Sequence, residues 1–196
     1  MCTKTREEWL QDVIAICRDE HFKEQGFTVP EIHVSTGLFG VPKKSLKTVL
    51  GQCWYGHGSE DGLCHIFISP TINDTKRAID VLIHELVHSV AGPTAKHGPA
   101  FKRVAKLVGL EGKMAETVAS DRLNETIAGW IDMVGLYPHP KLDPGLAGKK
   151  RPRKQAIKLV CPNECTELCV RIAEQYVTGD YKLPKCGYCD AEMEPA

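Results

Sequence analysis

Apolar residues recur along the chain with two periods, and the switches between them outline its elements. Thr5-Arg6-Glu7-Glu8 reads as a capping box, and Trp9, Leu10, Val13, Ile14 and Cys17 follow at helical spacing, so an opening helix is expected with these residues as its core face. After Gly26 the period shortens. Residues 28–34, 49–55 and 64–69 are short β-branched and aromatic runs, the last two separated by the turn-rich Gly56-His57-Gly58-Ser59-Glu60-Asp61-Gly62, and they predict a small antiparallel sheet. Helical spacing returns at Asp74 and runs to Gly92-Pro93, with Ile79, Ile83, Leu86, Val87 and Val90 on one side. Phe101, Val104, Ala105 and Val108 form the stripe of the next helix. Val118, Leu123, Ile127, Trp130, Ile131 and Val134 supply that of a further helix over residues 115–134. Pro138, Pro140, Pro144, Gly145 and Gly148 then break the pattern. This order predicts an α+β domain over residues 1–136, a Pro/Gly-containing linker over 137–158 and a small module over 159–196.

Composition narrows the class. A chain of 196 residues with 42% hydrophobic content can bury a core in a domain of about 100 to 150 residues and still carry an appendage. Lys4, Arg6, Glu7 and Glu8 precede any apolar run, and none of the apolar stretches reaches the length of a membrane span. Four or five of the nine cysteines sit in one cluster near the end, a metal-like spacing rather than a disulfide framework. The expectation is an unsecreted, cytoplasmic protein that does not engage a membrane. Cys17, Cys53 and Cys64 read as buried thiols. Nothing in the pattern specifies an oligomeric state.

The chemistry concentrates in His84-Glu85-Leu86-Val87-His88. At about 100° per residue, with His84 at zero, His88 falls near 40° and Glu85 near 100°, while the core residues cluster opposite. One face is core and the other holds two imidazoles one turn apart with a carboxylate beside them, the arrangement that holds zinc next to a general base. His97 lies nine residues beyond His88, past Gly92-Pro93 and at the head of the next helix, where it can swing back as a third ligand and leave the fourth zinc position open. Asp80, one turn before His84, could accept a ligand imidazole N–H, although a helix-start acid favoured by the dipole explains it as well. Strand 64–69 could border the cleft and pair with an extended substrate, although ordinary sheet core explains it too. Tyr137 and His139 are candidates to stabilise the oxyanion of a carbonyl under attack. His33, His57 and His65 read as ordinary solvated or hydrogen-bonded histidines.

Two features mark the rest of the chain. Lys149, Lys150, Arg151, Arg153, Lys154 and Lys158 place six positive charges within ten residues of a chain whose formal net charge is zero. That concentration suits phosphate-backbone contact, and equally a solvated linker. Cys161 and Cys165, then Cys186 and Cys189, have the two-plus-two arrangement of a zinc ribbon, in which thiolates fold a segment too small to bury its own core. The first pair is one residue wider than CxxC. Cys169 stands at the same spacing from Cys165 and is an alternative ligand; Cys161 is favoured because a proline follows it.

His84-Glu85-x-x-His88 followed by His97-Gly98-x-x-Phe101 resembles the SprT-like zinc metallopeptidases, and Gly109 to Met114 and Tyr137-Pro138-His139-Pro140 are similar to stretches in their phage-encoded and bacterial members. The resemblance spans roughly residues 5 to 196. It implies a zincin-like metallopeptidase domain followed by a four-cysteine zinc ribbon, with two zinc ions per chain, one catalytic and one structural. It matches Arg171 to an arginine after a short ribbon strand, which leaves Cys169 a spare buried thiol. It also implies proteolysis of DNA-associated proteins, since the best-characterised eukaryotic relatives degrade proteins crosslinked to DNA. On this reading Glu85 is the general base, the substrate is a protein, and DNA is engaged through the basic linker and the ribbon. A nonenzymatic zinc-containing nucleic-acid-binding scaffold, and a partner-specific protease independent of DNA, are the rival classes.

Overall fold

Thr5 begins the first element as its sequence predicts. Its hydroxyl accepts the Glu8 N–H while the Glu8 carboxylate accepts the Thr5 N–H, and helix α1 (Arg6–Ile16) follows with a π-helical extension over Cys17–Phe22. The computed structural model describes residues 4–42, 45–143, 156–167 and 169–196. It divides into two units, Met1–Ala147 and Gly148–Ala196.

The first unit is mixed α+β. Strands β1 (Ile32–Thr36), β2 (Gly51–Trp54) and β3 (Cys64–Ile68) form a sheet ordered β1-β3-β2. β2 runs antiparallel to β3, but β1 is parallel to it, so the expected all-antiparallel sheet is in fact mixed. The reason is connective: β1 and β3 are separated in sequence by the whole of β2, which leaves room for the return that a parallel pair requires. Helix α2 (Thr75–Ala91) is capped by Asp74, whose carboxylate accepts the Arg77 N–H, and ends at Gly92 with φ 86°, a left-handed backbone that suits glycine. α2 lies against β2 and β3, and Ile79, Leu82, Ile83, Leu86 and Val87 are fully buried with Trp9, Leu10, Phe22, Ile66 and Ile68.

Helix α3 (Pro99–Leu107) buries Phe101, Val104 and Ala105. The single helix expected over residues 115–134 is two elements. Strand β4 (Leu110–Lys113) pairs with β5 (Glu116–Ala119) as a hairpin, and helix α4 (Asp121–Val134) starts only at Ser120, whose hydroxyl accepts the Leu123 N–H. Residues 116–119 alternate exposed and buried, the period of a strand, and Ser120 resets the chain to helix.

Two ends of the segment read as linker are structured. Tyr137 is buried edge-on against Trp9 at 5.0 Å between ring centroids, and Arg6, itself 7% exposed, donates to the backbone carbonyls of Pro70, Ile72, Pro138, His139 and Pro140. Residues 137–140 are thereby tied to α1. Ala156 to Lys158 belong to the second unit, as the start of strand β6 (Ala156–Val160), which pairs antiparallel with β7 (Val170–Ala173) and β8 (Glu194–Pro195). Few of the described residues of that unit are buried: Leu159, Cys161, Cys186 and Met193. No helix among the described residues is long and apolar enough to cross a membrane.

Candidate functional site

The core stripe of α2 turns His84, Glu85 and His88 toward a cavity of about 300 Å³ walled by Thr48–Gly51, Arg77, Val81, His97 and Ala115–Thr117. His97 lies one residue before the Gly98 cap of α3 and comes back over α2 through the turn at residues 92–98. Its Nε2 stands 3.2 Å from His88 Nε2 and 3.3 Å from His84 Nε2. Three nitrogens bound at about 2.05 Å around a tetrahedral zinc would stand about 3.3 Å apart, so this donor set has the size the ion needs. Phe101 packs within 5.0 Å of all three rings and backs them. Burial first, then the neighbouring imidazoles, pushes the His84 pKa down to about 3; burial, then His97, pushes that of His88 down to about 4. Both rings therefore keep free lone pairs at neutral pH.

Glu85 is 5% exposed, and burial pushes its pKa up to about 8. Beside it runs β2. A Cβ on Gly51 would stand 2.5 Å from Glu85 Oε1 and 2.7 Å from Val81 Cγ1, so only glycine lets the strand approach this closely. That glycine is a site residue which sequence reasoning passed over. The expected cleft strand, residues 64–69, is the central strand with both edges paired, whereas β2 is the edge strand and residues 48–51 line the cavity. Leu50 gives its carbonyl to the Ser69 N–H, so in the pleat the Gly51 N–H and C=O turn to the free edge.

Asp80 does not serve His84. It is paired loosely with Arg77 at 3.9 Å, and the partner of His84 Nδ1 is the Thr117 hydroxyl of β5, at 2.8 Å. Tyr137 and His139 lie elsewhere: the Tyr137 N–H donates to the Thr75 hydroxyl at the start of α2, nine residues and about 13 Å of helix before His84, and His139 lines a separate concavity with Thr5 and Pro70. Neither borders the cavity, so the proposed oxyanion role is withdrawn. His33 is bonded to Asp61 and His65 to the Ser35 hydroxyl, the ordinary roles expected of them, and His57 stacks on Tyr55.

In the second unit the Sγ atoms of Cys161, Cys165, Cys186 and Cys189 converge. Cys165 stands 3.3 Å from Cys161, 3.3 Å from Cys186 and 3.5 Å from Cys189, within about half an ångström of the 3.8 Å separation of tetrahedral zinc thiolates. The extra residue of the first pair is absorbed at Glu164, whose φ of 50° turns the chain back. Backbone N–H groups of Tyr188 and Cys189 lower the Cys186 pKa, and those of Ala191 with the Asn163 amide lower that of Cys189 to about 6. Cys165, hydrogen-bonded to the neighbouring sulfurs, is pushed up instead. Cys169 is outside the cluster and exposed, not the buried spare thiol expected. Lys149, Lys150, Arg151, Arg153 and Lys154 lie outside the described residues; Lys158 is exposed on β6 and pairs in register with Arg171.

The two clusters are thus groups that could hold metal ions, three histidines in one unit and four cysteines in the other. No curated protein and no solved structure matches the chain. Residues 10–127, from α1 through the histidine site and into α4, match the SprT-like family, and the chain belongs to that family.

Proposed function

We propose that the chain is a zinc-dependent endopeptidase with a zincin-like catalytic unit, in which His84, His88 and His97 hold the catalytic zinc and Glu85 is the general base. The convergence of three Nε2 atoms beside a buried carboxylate carries this reading. When bound, zinc supplies a water of lowered pKa and polarises the scissile carbonyl. Glu85 takes the proton of the attacking water on a carboxylate oxygen and returns it to the leaving amide nitrogen as the C–N bond breaks. Glu85 is 5% exposed, and the charge of a zinc ion beside it would favour the ionised form that this role requires. The free edge of β2 binds an extended substrate through backbone hydrogen bonds at Gly51, which lays a peptide carbonyl across the cavity without a deep side-chain pocket.

Cys161, Cys165, Cys186 and Cys189 hold a second, structural zinc. The substrates are proteins carried on DNA: the six charges of residues 149–158 and the exposed Arg171, Lys182 and Lys185 supply sequence-independent phosphate contacts. The test is zinc stoichiometry together with cleavage of a DNA-binding protein, with and without single- and double-stranded DNA. Two zinc ions per chain are expected, with DNA-stimulated cleavage that falls about 10²- to 10⁴-fold in Glu85→Gln. Full activity in that variant would favour the nonenzymatic scaffold. Cleavage indifferent to DNA and to alanine at the six basic positions would favour a partner-specific protease.

A further inference from the structure

The Nε2 atoms of all three histidines point at one another, so a metal there takes the Nε2 lone pair of His84 and the ring proton must reside on Nδ1. Among the described residues that proton has one acceptor, Thr117 Oγ1, at 2.8 Å. Thr117 is 3% exposed while Glu116 and Val118 on either side are exposed, so the strand turns this one hydroxyl inward. No hydrogen bond of this kind is made by the Nδ1 of His88 or His97 to a described residue. Phe101 backs all three rings, but His84 alone of the three has its Nδ1 held by a described side chain.

The strand that carries the hydroxyl is itself held by α2. Arg77, two turns before His84, donates to the Thr117 carbonyl at 3.3 Å, and Asp80, one turn before His84, lies against the Ala119 amide. Both contacts fall on the β5 backbone just after the Thr117 side chain, and Arg77 is 3.9 Å from Asp80. Helix α2 therefore supplies both the ligand and the clamp that brings the ligand its partner.

We propose that Thr117 is the positioning residue of the histidine site: its hydroxyl accepts the His84 Nδ1–H and fixes the tautomer and ring plane that present Nε2 to the metal, with Arg77 docking β5 to place it. This rests on the metal reading of the three histidines. Partners of this kind affect metal affinity by about 10- to 100-fold. Thr117→Val keeps the β-branched shape and removes only the hydroxyl, whereas Thr117→Ser keeps the hydroxyl.

The experiment is chelator competition for zinc on the full chain, with the four-cysteine site of the same molecule as the internal control. ¹⁵N NMR of the His84 ring reports the tautomer, and tryptophan emission reports the fold. Thr117→Val is expected to release histidine-site zinc about 10- to 100-fold more readily and to lose the single Nδ1–H tautomer in the metal-free protein. Thr117→Ser should stay within a few-fold of the wild type. A Val variant that holds both zinc ions as tightly as the wild type, or a Ser variant no better than Val, overturns the role of Thr117 while leaving the metal reading intact. A wild type that takes up zinc only on its cysteines overturns both.

Discussion

The two clusters of candidate ligands are built on opposite terms. The histidines stand on α2 and at the head of α3, over a core that includes Leu82, Ile83, Leu86 and Phe101, all fully buried. Their geometry is an outcome of packing that exists for other reasons. The cysteines stand in a unit whose buried residues, among those described, are Leu159, Met193 and two of the cysteines themselves. On the proposed reading of these thiolates as zinc ligands, ligation supplies there what burial does not. On that reading one site is a feature placed on a fold, and the other is the condition for having one.

The sharpest way to break that contrast is to remove metal. A structural zinc contributes about 10–16 kcal/mol, more than a unit with so small a core retains without it. On chelation the amides of residues 156–196 should collapse to disordered shifts. Trp9, Trp54 and Trp130, which all lie in the first unit, should keep native emission. With metal present, Cys165→Ser should reproduce the loss and Cys169→Ser should leave the spectrum unchanged. Dispersed amides without metal would erase the distinction.

A second measurement asks whether the histidine site is preformed even when metal-free. Burial raises the folded-state pKa of Glu85 from its ordinary 4.5 to about 8. The folded chain then holds a proton that the unfolded chain releases, so the contribution is full below about pH 4.5 and is lost as pH rises toward 8. Glu85→Gln carries no such charge. In metal-free protein, its stability relative to the wild type should rise between pH 5 and pH 8 by about 2–4 kcal/mol, read from tryptophan emission in urea. A pH-independent difference would mean that the carboxylate is solvated and the site loose.

The smallest effect expected is at the β2 contact. Gly51→Ala places a methyl group in the space of the Glu85 carboxylate and Val81, at a cost of about 1–3 kcal/mol in stability. Cleavage should fall by at least ten-fold with zinc content unchanged, because the general base moves and the ligands do not. Unchanged kinetics would show that β2 is not fixed against the site.

The histidine site was legible because its parts are close in sequence. His84 and His88 are one helical turn apart and His97 follows through a single turn, so period and punctuation place all three. The capping box at Thr5 and the Asp74 cap are equally local. What escaped were contacts between distant segments. Thr117 lies 33 residues from its imidazole, inside a stretch whose apolar residues also fit a helix, and Gly51 looks like any strand glycine until α2 is laid across it. Tyr137 and His139 failed for the converse reason: their chemistry suited the cleft, but Trp9 and Arg6 hold that segment at the other end of α2.

The sequence by itself determined which side chains come together as candidate ligands and which helix presents two of them, since helical geometry converts spacing into direction without further information. It likewise set the four cysteines at metal-binding spacing in a segment too short to build a sizeable core of its own. Tertiary structure alone decided the direction of β1, the choice of β2 as the strand along the cavity, and the hydroxyl behind His84. Those are matters of which distant surfaces meet, and they are settled by burying a shared core rather than by any local period.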